Sequence, residues 1–267
     1  MTVTRSPAPL IKFDESTAPT VAFVCVTYAT PLAVIDECLD ALAQALDASS
    51  ISAEVVVVDN LPPTGGHRVA DHLSITTSGI DVLRPDVNLG FGGGNELGIA
   101  STTAPLLCLI NPDLIVHTGW LEPLLATLTQ HPAAIVSPRL INRSGVLAEA
   151  GRMLLPNGKT EPSAAGSVVD YTSAACWLLK RSTHERVGGF DPRFHPAYFE
   201  DVDFVLRLRR IGGTVVVDHQ VSVIHLEGAS TDVQVTDISP QLAVLNELWH
   251  DELRTVADID VRSGGLQ

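Results

Sequence analysis

No run of about 18 apolar residues occurs anywhere in this chain, so a membrane-spanning helix is not expected. The first twenty residues, MTVTRSPAPLIKFDESTAPT, lack the apolar centre of a secretory signal. Their Pro, Ser and Thr content reads as a loose arm over residues 1–19. Basic charge is scarce: 17 Lys and Arg stand against 31 Asp and Glu, a formal charge of −14. A nucleic-acid partner calls for a basic face and is not expected, nor is electrostatic docking on an anionic membrane. Paired cysteines are missing as well. Cys25, Cys38, Cys108 and Cys176 are scattered without C-x-x-C spacing, and read as free buried thiols in a reducing cytosol. No internal repeat is visible, and no linker interrupts residues 20–230. What is present is a chain of 267 residues, 45% of them hydrophobic. That is enough to bury the core of one large α/β domain, with or without a small appendage. A negative chain still binds an anionic ligand where a divalent cation, a helix N-terminus or a few placed basic side chains help locally.

Short apolar, β-branched runs alternate with segments of helical spacing. Val21–Thr27, Ala53–Asn60, Ile80–Asp86, Ala104–Asp113 and Ala133–Pro138 read as buried strands. Between them, Ile35, Cys38, Leu39, Leu42 and Leu46 recur at helical spacing, Gly93–Thr102 reads as a helix behind a glycine-rich entry, and Trp120–Gln130 as an amphipathic helix. This alternation predicts βαβ units and a mostly parallel sheet flanked by helices. Ligands of such sheets bind beyond the carboxyl ends of the strands. Three of the strands end there in TY, DN and NPD. The second half reads as strands with turns at Ser144-Gly145 and Asn157-Gly158, a strand over Val168–Ser182, a helix over Glu200–Gly213 and two short strands within Thr214–Gly228. After Pro240, Leu242, Leu245, Trp249 and Leu253 share one helical face, so the C-terminus is expected to pack back on the domain.

Four constellations carry chemistry. Asn111 and Asp113, separated by one residue at a strand end, point to the same side of an extended backbone and suit Mg²⁺ or Mn²⁺ shared with phosphate oxygens; a plain Asn-Pro-Asp turn is the alternative. Glu200, Asp201 and Asp203 crowd the first turn of a helix directly behind Tyr198 and Phe199. Acidic side chains favour the helix dipole there, but a carboxylate walled by aromatics is also a candidate general base. His225 follows an apolar strand and becomes a metal ligand if it shares a pocket with Asp113. The run NLGFGGGNELGIA, Asn88–Ala100, does not fit G-x-G-x-x-G behind the first strand, which argues against a dinucleotide-binding oxidoreductase. Its glycines suit a close backbone approach or a tight helix entry.

In register, VAFVCVTYAT, VVVVDN, NLGFGGGNELGI, LLCLINPDLIV, the stretch from SAACWLLKRS through FEDVDFVLRLRRIGG, and VIHLEGAS resemble a family 2 glycosyltransferase of the GT-A fold over about residues 20–230. The similarity extends to bacterial rhamnosyltransferases and galactofuranosyltransferases of cell-wall or polysaccharide assembly. The resemblance implies a GT-A domain, Rossmann-like, with a nucleotide-sugar half over 20–113, an acceptor half over 114–230, and a C-terminal helix and tail over 231–267. It implies that Thr27, Tyr28 and Asp59 hold base and ribose, that Asn88, Gly92, Asn95 and Asn111 line the donor pocket, and that Trp177 walls the donor or the acceptor pocket. Asp113 and His225 would hold a divalent cation, Mn²⁺ or Mg²⁺. Asp201 would be the catalytic base, with Glu200 and Asp203 orienting the base or the acceptor. The implied partners are a UDP- or dTDP-linked sugar, rhamnose among the candidates, and a glycan or lipid-linked acceptor, in the cytoplasm or peripherally at the inner membrane face; a homodimer stays open. The sequence departs from the family at Ala29, where Asn is usual, at LPPTGG after Asp59-Asn60, and in an acidic tail.

The expected reaction is inverting transfer of the sugar to an acceptor hydroxyl whose proton a carboxylate takes. A catalytically silent GT-A domain that binds nucleotide or a partner is the alternative. A nucleotidyltransferase would need a Gly-rich, basic triphosphate loop after the first strand, and none is visible. Glycoside hydrolysis also uses paired carboxylates but needs no diphosphate site.

Overall fold

The computed structural model describes residues 18–61, 69–77, 79–163, 169–226 and 237–263, with side chains up to residue 253. The first strand, β1 (Val21–Thr27), leads into α1 (Leu32–Asp47), and β2 (Ala53–Asp59) into α2 (Val69–Thr76). Then come β3 (Asp81–Leu83), α3 (Gly90–Ala100), β4 (Leu106–Ile110), β5 (Leu114–Ile115), α4 (Leu121–Gln130) and β6 (Ala134–Ile141). Three short strands follow, β7 (Leu147–Glu149), β8 (Arg152–Leu154) and β9 (Thr160–Pro162). The chain continues through β10 (Cys176–Lys180), α5 (Arg181–Val187), α6 (Glu200–Arg210), β11 (Thr214–His225) and α7 (Ser239–Ser263).

The main sheet runs β3-β2-β1-β4-β10-β6-β11-β5, with β7 beside β6. β1 pairs in parallel with β2 and β4, and β11 with β6. β10 breaks the pattern: it lies antiparallel between β4 and β6, so its N-terminal end meets the C-terminal end of β4. Alternation along each strand divides the core in two. Phe23, Cys108 and Leu178 join the α1, α2 and α4 side, whereas Val24, Leu109 and Trp177 join the α3, α5, α6 and α7 side. Both faces of the sheet are covered, which is why its strands read as continuous apolar runs.

Most expected elements stand within a few residues of where periodicity puts them. Two short helices, α2 and α5, were not expected. The strand expected over Val168–Ser182 is confined to β10, with Val168 itself outside the described residues. The two short strands expected within Thr214–Gly228 are one strand, β11, whose pairing with β6 slips between Asp218 and Ser222. Such an irregularity bends a strand without ending it. The apolar face of α7 packs inward, with Leu245, Trp249 and Leu253 almost fully buried. All four cysteines are free and buried. No helix among the described residues is long and apolar enough to cross a membrane.

The glycines of α3 let the helix lie directly on the sheet. A Cβ on Gly98 would come within 2.4 Å of Val24 Cγ1. Gly98→Ala gains about 1 kcal/mol of helix propensity but forces a contact whose cost is about 1–3 kcal/mol, so we expect a net loss and a melting temperature lower by a few degrees. An unchanged or higher melting temperature would show that α3 can lift from β1 freely.

Candidate active site

The carboxyl ends of β1, β2 and β4 open onto a cleft of about 210 Å³. Thr27 ends β1, Tyr28 and Thr30 follow it, and Asn60 follows β2. The start of α3 contributes Gly90 and Phe91, with Asn88 just ahead of it, while Asn111 and Pro112 close the β4 side. The far wall is Pro196, Ala197 and Tyr198, from the loop that leads into α6. Side chains at the back of the cleft stitch these segments together. Asn60 donates to the Gly90 carbonyl (2.7 Å) and accepts from the Leu89 amide (3.2 Å), and Asn88 Oδ1 accepts from the Gly90 amide (2.8 Å). Phe91 N–H donates to the Pro196 carbonyl (2.7 Å), and His195 Nε2–H to the Asn88 carbonyl (3.0 Å). Gly90 is required here: it has φ +74° and a Cβ would sit 2.6 Å from Pro196 O.

Three non-glycine residues with positive φ, Ala29 (51°), Tyr198 (81°) and Phe199 (68°), belong to the two loops that face each other across this cleft. Left-handed backbone disfavours L residues by roughly 1–2 kcal/mol each, and its concentration here fits a site held under constraint. Asn tolerates this conformation better than Ala.

Beside the Asn111–Pro112 wall, Asp113 is buried, and its Oδ1 lies 3.4 Å from His225 Nε2. The antiparallel register of β11 with β5 sets His225 opposite Leu114, and the Leu226 amide donates to the Asp113 carbonyl at 3.0 Å. Two donors on one octahedral ion, each at about 2.1 Å, stand about 3 Å apart. The observed spacing and the mix of carboxylate oxygen and imidazole nitrogen therefore fit a divalent cation. Among the described residues no group of three or more His, Cys, Asp and Glu gathers to hold a metal. A cation at this pair would take its other ligands from phosphate and water, as Mg²⁺ commonly does.

The carboxylates at the start of α6 differ from one another. Asp201 is half-buried, and its Oδ1 accepts from the Val202 amide at 2.8 Å. Withdrawal from solvent lifts its carboxyl to about 6, with repulsion from Glu149 adding to this and the amides of Val202 and Ala174 opposing it. Glu200 is buried, and its Oε2 has no hydrogen-bond partner among the described residues. Burial, then the neighbouring Asp201, pushes its pKa up. Tyr171 is raised too, by burial and then by Asp201. Glu149 Oε1 accepts from the Ser173 amide at 2.8 Å, so Glu149 and Asp201 hold successive amides of one segment. The next residue, Ala175, receives the Asn111 amide at 2.8 Å, which links this segment to the β4 side of the cleft.

The glycosyl transferase family 2 model matches residues 23–188. The chain belongs to glycosyltransferase family 2. The pre-mycofactocin glycosyltransferase of Mycobacterium tuberculosis (strain ATCC 25618 / H37Rv) is 29% identical over 152 residues, 55% of this chain and 32% of the relative. The N-acetylglucosaminyl-diphospho-decaprenol L-rhamnosyltransferase of the same strain is 32% identical over 158 residues, 56% of this chain and 47% of the relative. This chain thus spans less than half the length of either. Among solved structures, GalNAc-T7 with UDP, GalNAc and Mn²⁺ superposes with a TM-score of 0.67 at 15% identity, over 88% of this chain and 50% of that one. That likeness concerns the fold, which is GT-A: α/β, with a mostly parallel sheet flanked by helices.

In this family 2 glycosyltransferase, Thr27, Tyr28, Asn88 and Asn111 line one cleft, with Asp113 and His225 paired beside it. Five other candidates from the sequence lie elsewhere. Asp59 is fully buried, with Oδ2 accepting from the Ala70 amide (2.9 Å) and Oδ1 from the Leu61 amide (3.2 Å), and so caps α2. Gly92 faces Phe190, and Asn95 is buried with its amide turned back to the Phe91 carbonyl at 3.0 Å. Trp177 has no exposed surface; it stacks on Phe190, and its indole N–H donates to Thr172. Its alternation with Cys176 and Leu178 on β10 points it into the α6 side of the core rather than into the cleft. Asp203 is bound to Arg207 and Trp249. Sequence reasoning passed over Asn60, the stitch between β2 and α3, although it stands at a strand end. It also passed over Glu149 and Tyr171, which carry no local motif.

Proposed function

We propose that the chain is an inverting glycosyltransferase that moves a sugar from a nucleoside diphosphate to a hydroxyl of a glycan or lipid-linked acceptor. Residues 20–113 serve the donor and 114–230 the acceptor. The observation that supports this most directly is the Asp113–His225 pair, spaced for one divalent cation beside a cleft at the carboxyl ends of β1, β2 and β4. Thr27, Tyr28, Asn88 and Asn111 bind the nucleotide sugar. Asp201 takes the acceptor proton as the new bond from oxygen to sugar C1 forms on the face opposite the leaving group. The C1–oxygen bond breaks with its electron pair passing to the diphosphate. Glu200 holds the acceptor end of the site. A divalent cation, Mn²⁺ or Mg²⁺, held by Asp113 and His225, would neutralise charge on the departing diphosphate. A relative named as an L-rhamnosyltransferase supports rhamnose as a candidate sugar.

Calorimetric titration with UDP, dTDP and GDP, with and without Mn²⁺, tests the donor site. We expect one nucleotide to bind at least tenfold more tightly with the metal, and His225→Ala to remove that gain. Binding by none of the three would refute the donor site. Binding indifferent to metal would remove Asp113 and His225 from it.

A further inference from the structure

Thr30 stands between Ala29, whose φ is +51°, and Pro31. A proline confines the residue before it to extended backbone, so Thr30 has little freedom. Its side chain is 5% exposed and lines the cleft, and its Oγ1 has no hydrogen-bond partner among the described residues. A threonine just ahead of a helix commonly turns its hydroxyl onto the first helical amides. Here Pro31 is the N-cap of α1, and no side chain caps that helix. Three other polar side chains of the cleft are engaged: Thr27 donates to the Val58 carbonyl at 3.4 Å, Asn60 bridges Leu89 and Gly90, and Asn88 holds the Gly90 amide. A buried hydroxyl without a partner is unfavourable, and such groups persist where a ligand completes them.

We infer that Thr30 is a specificity-determining residue, whose hydroxyl hydrogen-bonds the nucleoside part of the donor. This rests on the nucleotide-sugar reading above. The surroundings favour the nucleoside over the phosphates. Tyr28, Phe91 and Tyr198 give the cleft aromatic walls suited to a flat base, and no Lys or Arg is among its described lining residues. At the start of α3 the first two amides are already engaged, Gly90 with Asn88 Oδ1 and Phe91 with the Pro196 carbonyl. The Asp113–His225 pair, by contrast, lies past the Asn111–Pro112 wall and offers a metal seat for the diphosphate.

Thr30→Val keeps the shape and removes the hydroxyl; Thr30→Ala repeats the test should valine fold poorly, and Thr30→Ser restores the hydroxyl. Each is titrated as the full chain with uridine and UDP, and with thymidine and dTDP. For the pair that wild type binds, valine is expected to weaken nucleoside and diphosphate alike by about tenfold, with serine within about twofold of wild type. The melting temperature of the ligand-free valine variant should not fall, since no protein hydrogen bond is lost. Comparison of uridine with 2′-deoxyuridine then separates a ribose contact from a base contact, and either source supports the inference. Unchanged affinity in Thr30→Val, or a loss confined to the diphosphates, overturns the role of Thr30 and leaves the donor site standing. If wild type binds none of these nucleotides or GDP, the donor site falls and this inference with it.

Discussion

Asp201→Asn is expected to slow sugar transfer about a thousandfold while nucleotide binding stays within a few fold of wild type. The magnitude follows from removing a positioned general base, whose contribution commonly lies between about a hundredfold and ten-thousandfold. Binding persists because Asp201 does not line the nucleotide cleft. The carboxyl is lifted to about 6, chiefly by withdrawal from solvent, so kcat/KM should fall tenfold per pH unit below about pH 6. Glu200, Glu149 and Tyr171 face or neighbour Asp201, and repulsion from Asp201 raises Glu200 and Tyr171 further. The same shift acts on stability with a definite sign. Between the ordinary value, 3.8, and about 6, the folded chain binds more protons than the unfolded one, so this contribution is complete below 3.8 and is lost as pH rises through about 6. Asp201→Asn should therefore melt higher than wild type at pH 7.5, with the gain vanishing towards pH 4. Full transfer activity in the variant would remove Asp201 from the chemistry. A domain that binds nucleotide without transferring sugar would show no activity to lose.

Asp203→Ala should do the opposite, lowering stability by about 3–5 kcal/mol and the melting temperature by roughly 10 °C. Asp203 is 1% exposed. Its Oδ2 accepts from Arg207 Nε and Nη2 at 2.8 and 2.6 Å, and its Oδ1 from Trp249 Nε1 at 2.9 Å. Truncation leaves the Arg207 guanidinium with the Val187 carbonyl but without its carboxylate, and strands the Trp249 indole N–H in the interior. It also unfastens α7, which is held nearby by Arg210 stacked on the Trp249 ring and by Gln241 donating to the His195 carbonyl at 2.9 Å. Thermal melts of Asp203→Ala and Asp203→Asn side by side check this, because asparagine can still receive the indole. An Asp203→Ala protein that melts like wild type but cannot transfer sugar would move Asp203 from the architecture to the reaction.

The contrast between Asp201 and Asp203 shows where sequence reading stops. Both sit in FEDVD, and both suit a helix start. Their helical positions point them to different neighbours, and those neighbours, Ala174 and Glu149 for one, Arg207 and Trp249 for the other, include residues up to 52 positions away along the numbering. Buried strands and long helices were legible because periodicity is a local property. β1, β2, β4, α1, α4 and the buried face of α7 follow from it directly. The helix α2 was not, because at eight residues it shows little more than two turns of pattern. Nor was α5, whose seven residues carry mostly polar side chains. The direction of Trp177 was not legible for a related reason. Its apolar setting was plain, but which face of β10 looks to the cleft depends on the antiparallel pairing with β4.

That antiparallel strand also orders events in time. A chain made from its N-terminus can pair β3, β2, β1 and β4 once residue 110 has emerged. The next position in the sheet belongs to β10, which ends at Lys180, and β6 must wait for it although β6 itself is complete at Ile141. During synthesis these strands are thus a four-stranded half-sheet whose β4 edge stays open, and the Asn111–Ala175 bond is among the later contacts to form.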